Sequence, residues 1–93
     1  MIIKCGSDQI CYNTLILGAC EDPVTKTTDF KCYKDYVANE IRNPSLYPLC
    51  SNSLLYADSC LYDLAINTGA SGVCEFISRS DIKDACIEIF LDN

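Results

Sequence analysis

Apolar positions recur along this chain at three- and four-residue intervals. Leu54, Ala57, Leu61, Leu64, Ala65 and Thr68 share one helical face, and Leu55, Tyr62 and Ile66 form a second apolar stripe on the same segment. A helix apolar on two sides is expected to be central and covered on both. Ile82, Ala85, Cys86, Ile89 and Phe90 make a single stripe, as do Phe30, Tyr33, Val37 and Ile41, which fits peripheral helices. No strand-length run alternates apolar with polar residues, so the expected fold is all-α.

Punctuation refines these elements. Ser78-Arg79-Ser80-Asp81 fits a capping box, in which the serine and the acidic side chain satisfy each other's exposed amides. Asp22-Pro23 and Asn43-Pro44 read as an N-cap with proline at the first helical position, predicting a short helical turn after each. Gly18 and Gly69 stand where left-handed helix ends are closed. Pro44 and Pro48 exclude a long helix through 43–49.

Eight cysteines change the picture most. They occupy positions 5, 11, 20, 32, 50, 60, 74 and 86, separated by 5, 8, 11, 17, 9, 13 and 11 residues. Zinc and iron–sulfur sites need close cysteine pairs or histidine, and the chain has neither. Disulfides at Cys5, Cys11, Cys20, Cys32, Cys50, Cys60, Cys74 and Cys86 are therefore expected, with no metal and no cofactor. Such cross-links suit a single domain spanning 1–93, because a chain this short leaves much of its surface in water.

The cysteines also expose a degenerate repeat. Asp8-Gln-Ile-Cys11-Tyr12, Asp29-Phe-Lys-Cys32-Tyr33, Asp58-Ser-Cys60-Leu61 and Asp84-Ala-Cys86-Ile87 each place an aspartate before a cysteine and an apolar or aromatic residue after it. Each runs on into a helix-like stretch, giving a period of about 21 to 28 residues. The architecture read from this is a disulfide-stapled array of about four helices with short helical turns between them, an irregular helical-hairpin repeat. Pairing each loop cysteine with the next helix cysteine gives Cys5–Cys11, Cys20–Cys32, Cys50–Cys60 and Cys74–Cys86. Cys50–Cys60 requires a helix that starts no earlier than about Leu54, and Cys60–Cys74 and Cys32–Cys50 remain rivals. Cys11–Cys20 is disfavoured, since positions nine apart on an unbroken helix lie about 13 Å from each other. Each loop of this size stabilises by about 3 kcal/mol in the chain-entropy model.

The stretch from Cys60-Leu-Tyr-Asp-Leu-Ala-Ile-Asn-Thr-Gly through Cys74-Glu-Phe-Ile to Cys86 resembles cysteine-containing helical repeats of uncharacterised archaeal proteins. The likeness covers about a third of the chain closely; it departs at Cys20, which precedes Asp22-Pro23 where the pattern would place it after. It implies stacked helical hairpins and no known activity. Plant lipid-transfer proteins also carry eight cysteines on helices, but the adjacent Cys-Cys and the Cys-x-Cys they need are absent here.

Charge and chemistry narrow the function. With seven basic residues, scattered, and a net charge of −6, the chain is not built for nucleic acid or anionic membrane. No apolar run approaches the roughly eighteen residues of a membrane span. Without histidine the commonest general base is missing, and the expectation is a non-enzyme. Asp81, Asp84 and Glu88 share a helical face that reads as solvated rather than as a calcium or carboxylate-pair site. Tyr12, Tyr33 and Tyr62 read as core residues, and Tyr47 and Tyr56 as exposed ones.

Disulfides place the chain outside the cell or in another oxidising compartment, the alternative being a hyperthermophile cytoplasm. Five lysines and four glutamates weigh against that alternative. Met1-Ile2-Ile3-Lys4 is too short for a secretory leader, so a mature chain with its leader removed is expected. The functional expectation is a non-enzymatic protein-interaction or structural module with a protein partner and an open oligomeric state. A carrier of an apolar small molecule between helices, or a secreted signalling protein, is the alternative. A pocket lined by both stripes of the central helix would mark the carrier, and a filled core the module.

Overall fold

The computed structural model describes Cys5 and residues 8–91; the leader expectation at Met1–Lys4 lies outside the described residues. Helix α1 (Gln9–Ala19) begins at Asp8, whose Oδ1 accepts the amides of Ile10 and Cys11. Helix α2 (Phe30–Asp35) begins in the same way at Asp29, whose Oδ1 accepts from Lys31 and Cys32. In both, the aspartate supplies an acceptor that the first turn lacks and sets the cysteine at a fixed place in that turn. The later aspartates of the repeat differ. Asp58 lies in the first turn of α3 (Ala57–Thr68), and Asp84 lies inside α4 (Ser80–Leu91).

Two segments of 3₁₀ helix join these helices, Pro44–Tyr56 and Ser71–Phe76. Asn43 caps the first through Ser45 N, with Pro44 at its first position as expected. The prolines do exclude an α-helix, yet the chain stays helical as tighter 3₁₀ turns interrupted at Leu46 and Leu54. After Asp22 there is one turn: Oδ1 accepts from Val24 and Thr25, Lys26 N donates to Asp22 O, and Lys26 closes it at φ 61. One isolated bridge, Glu21 to Thr28, is the sole β feature among the described residues.

The four disulfides are Cys5–Cys11, Cys20–Cys32, Cys50–Cys60 and Cys74–Cys86, with Cα atoms 5.4 to 5.7 Å apart. These are the loop-to-next-helix pairs. Cys50, Cys60, Cys74 and Cys86 are completely buried among Leu46, Leu49, Leu64, Ala65 and Val73.

Side-chain hydrogen bonds tie the helices across this core. The buried Tyr33 hydroxyl donates to Asn13 Oδ1 at 2.6 Å and accepts from Asn52 Nδ2 at 3.1 Å, linking α2 to α1 and to the first 3₁₀ segment. Beyond Asp35 the chain widens into a π turn, Tyr36–Ile41, ended by Arg42 at φ 51. Asn67 of α3 donates to Ala38 O in that turn at 2.9 Å. Lys34 Nζ lies 2.7 Å from Asp63 Oδ2, joining α2 to α3. Burial lowers the affinity of that ammonium for its proton, but the hydrogen bond and charge of Asp63, with Asp35, outweigh it and leave the pKa raised.

Several expectations are corrected. Gly18 lies within α1, which ends at Cys20 with φ −107; only Gly69, at φ 72, closes a helix in the left-handed region. The capping box at Ser78–Asp81 is replaced by a cap from another helix. Asp58 of α3 accepts the amides of Ser78 and Arg79 through its two oxygens, while Asp81 pairs with Arg79. On α4, Ile82, Cys86 and Phe90 face the core with Ile87, whereas Ala85 and Ile89 are exposed.

The central helix is covered around most of its circumference, packing against both 3₁₀ segments, the π turn, α2 and α4, with Tyr62 of the second stripe half-buried against the core. Cys60, Leu61, Leu64 and Ala65 are buried, but Leu54 and Leu55 precede α3, and with Ile66 they are exposed. The fold measures 42 × 27 × 16 Å.

Candidate interaction surface

The most exposed apolar feature is the tip between the Pro44–Tyr56 segment and α3. Pro48 keeps the approach to it out of α-helix, and the Cys50–Cys60 bond draws residues ten apart to a Cα distance of 5.4 Å. The intervening chain must therefore loop out. It does so at Leu54, which takes φ 54 and ψ −110, a region that side chains with a Cβ avoid. Strain of this kind costs about 1–3 kcal/mol. Leu54 is 60% exposed, Leu55 97% and Tyr56 40%. Beneath them Ser53 is fully buried, with its hydroxyl bonded to Cys50 O at 2.6 Å. Three apolar side chains thus project from a segment tied at its base by a buried disulfide and a buried hydroxyl.

Tyrosine placement is mixed. Tyr33 is buried, and Tyr12 and Tyr62 are half-buried against the core, as expected. Tyr56 is exposed, but Tyr47 is half-buried and stacks on Phe76, with ring centroids 3.9 Å apart. Asp81, Asp84 and Glu88 are exposed, and no group of three His, Cys, Asp or Glu among the described residues is arranged to hold a metal ion. No free cysteine is present among the described residues, so every described thiol is withdrawn from nucleophilic chemistry.

Surface hollows lie around the slab. One of about 340 Å³ sits between α2, α3 and α4, bordered by Lys34, Ser59, Tyr62, Asp63, Asp81 and Ile82. Of the apolar stripes on α3 it includes Tyr62 alone. Leu61, Leu64 and Ala65 are packed into the core, which is the filled arrangement rather than a lined cavity. No described helix is long and apolar enough to cross a membrane.

Leu54 and Leu55 are the residues of this surface hardest to see in the sequence, because both complete helical stripes. The signal that separates them from α3 is the spacing of Cys50 and Cys60, which requires a late helix start; the helix begins at Ala57. No protein-family model, curated protein or solved structure matches this chain.

Proposed function

We propose that this protein is a non-enzymatic protein-interaction module, secreted or held in another oxidising compartment, that presents Leu54, Leu55 and Tyr56 to a protein partner. The observation that carries the reading is Leu55, 97% exposed beside a strained Leu54 and anchored by a buried disulfide. Neither the exposure nor the strain assists folding. Contact with a partner accounts for both, since an apolar tip held in one conformation loses little further freedom on binding. The filled core favours this module over a carrier, and a secreted signalling protein would use the same tip.

The test replaces Leu55 with a photoreactive leucine analogue and, separately, exposed Glu75 with a photoreactive residue. The expected result is one partner captured from position 55 alone, competed by unlabelled protein and lost with Leu54→Gly or Tyr56→Ala. Leu54→Gly relieves the backbone strain, so its melting temperature should hold or rise while capture falls. Equal capture from positions 55 and 75, without competition, would refute the proposal.

A further inference from the structure

Helix α1 is uncharged from Gln9 to Ala19, in a chain of net charge −6. Ile16 is its one fully buried residue, and Ile10 is 79% exposed. A helix apolar around most of its circumference is normally covered on more than one side. Its outer face borders a hollow of about 690 Å³ formed by Ile10, Cys11, Thr14, Leu15, Gly18 and Ala19, with Asp8 at one end.

At the other end the surface changes character. Ala19 also borders a hollow of about 250 Å³ containing Glu21, Asp22 and Asp29. Asp29 and Cys32 in turn belong to a hollow of about 480 Å³ with Lys31, Asp35, Tyr36 and Glu40. The first hollow meets the second at Ala19, and the second meets the third at Asp29 and Cys32, so the three lie in succession along the surface. The first is apolar. The remainder carries the carboxylates of Glu21, Asp22, Asp29, Asp35 and Glu40 against the ammoniums of Lys31 and of Lys34, which pairs with Asp35 at 3.3 Å; Asp22 and Asp29 each use one oxygen on backbone amides.

We propose that this succession of hollows docks a segment of a partner protein in which a short apolar stretch is followed by lysines or arginines. Charge selects that occupant. A second copy of this chain would bring acidic surface against acidic surface, and nucleic acid or anionic lipid would be repelled. Area argues the same way, because an 11-residue helix about 16 Å long cannot by itself supply the roughly 1,000 Å² of a stable dimer. The apolar part seats the segment, while the carboxylates orient it and speed its approach. This inference does not rest on the Leu54–Tyr56 tip.

The test uses the full chain and a fluorescent synthetic peptide of two leucine-rich turns followed by four arginines. Control peptides carry four glutamates in place of the arginines, or the arginines alone. The expected result is saturable binding of the first peptide only, weakened by salt, with amide shift changes confined to residues 9–22 and 29–40. Ile10→Lys and the pair Glu21→Lys/Glu40→Lys should each weaken it at least tenfold, the charge pair also flattening the salt dependence. Leu55→Lys should leave it unchanged, which separates this surface from the tip. Ile10, Glu21 and Glu40 are exposed, so these variants are expected to fold, as unchanged amide spectra elsewhere would verify. Equal binding by the arginine-only peptide, insensitivity to Ile10→Lys, or sedimentation showing that the free protein pairs through α1 would overturn the proposal.

Discussion

From Asp8 to Thr28 the chain buries little beyond Ile16 and Cys20, while from Phe30 to Leu91 it builds nearly the whole core. Both regions use the same cross-link, but differently. Cys11 and Cys32, one half of each early bond, remain half-buried at the rim. Cys50, Cys60, Cys74 and Cys86 have no exposed surface and pack as apolar side chains do. In the early region the bond replaces a core that the segment is too short to make. In the later region sulfur is part of the core, so covalent constraint and burial reinforce each other.

Deleting one bond from each region should separate these roles most sharply. Cys50→Ala/Cys60→Ala removes a constraint worth about 3 kcal/mol together with buried contacts, and should lower the global denaturation midpoint. Cys5→Ser/Cys11→Ser should cost about 2 kcal/mol or less and speed amide exchange mainly within α1. An equal global loss from both would erase the distinction. Side-chain truncation gives the next largest contrast. Leu64→Ala in the core should cost about 3 kcal/mol, whereas Leu17→Ala on exposed α1 should stay within about 0.5 kcal/mol.

Tyr33 sharpens the comparison in a smaller way, because its hydroxyl joins the two regions through Asn13. Tyr33→Phe should cost about 1 kcal/mol. Burial raises the pKa of that hydroxyl above its ordinary 10.0, against the opposing hydrogen bond from Asn52. The folded state therefore holds this proton more tightly than the unfolded chain does. Its contribution is intact below pH 10.0 and is lost as pH climbs through the folded-state value. Lys34, also raised, adds a loss in the same direction. Denaturation midpoints measured through this alkaline range should fall less steeply in Tyr33→Phe. An unchanged slope would remove Tyr33 from the account.

The helices and the pairing of the cysteines were legible because both are local. An aspartate three residues before Cys11 or Cys32 marks a helix start, and the spacing from loop cysteine to helix cysteine recurs. The errors arose where distant parts of the chain decide. Asp58 caps residues twenty positions later, and no reading of Ser78-Arg79-Ser80-Asp81 contains that partner. Ile66 is exposed near the C-terminal end of α3 although its stripe partner Tyr62 packs against the core, a difference that periodicity does not encode. Leu54 was obscured differently: its apolar side chain continues a helical pattern that the backbone abandons at that residue. At the candidate tip the spacing of Cys50 and Cys60 was therefore the better guide than hydrophobicity.

Each bond joins a cysteine to the next one in order, with separations of 6, 12, 10 and 12 residues. A chain threaded into an oxidising space from its amino end would offer the correct mate for each thiol before any other mate had arrived. Most mispaired isomers would close longer loops, at greater entropic cost, and the short Cys11–Cys20 alternative is spanned by α1. In such a space the bonds would form as a ratchet of short, successive closures.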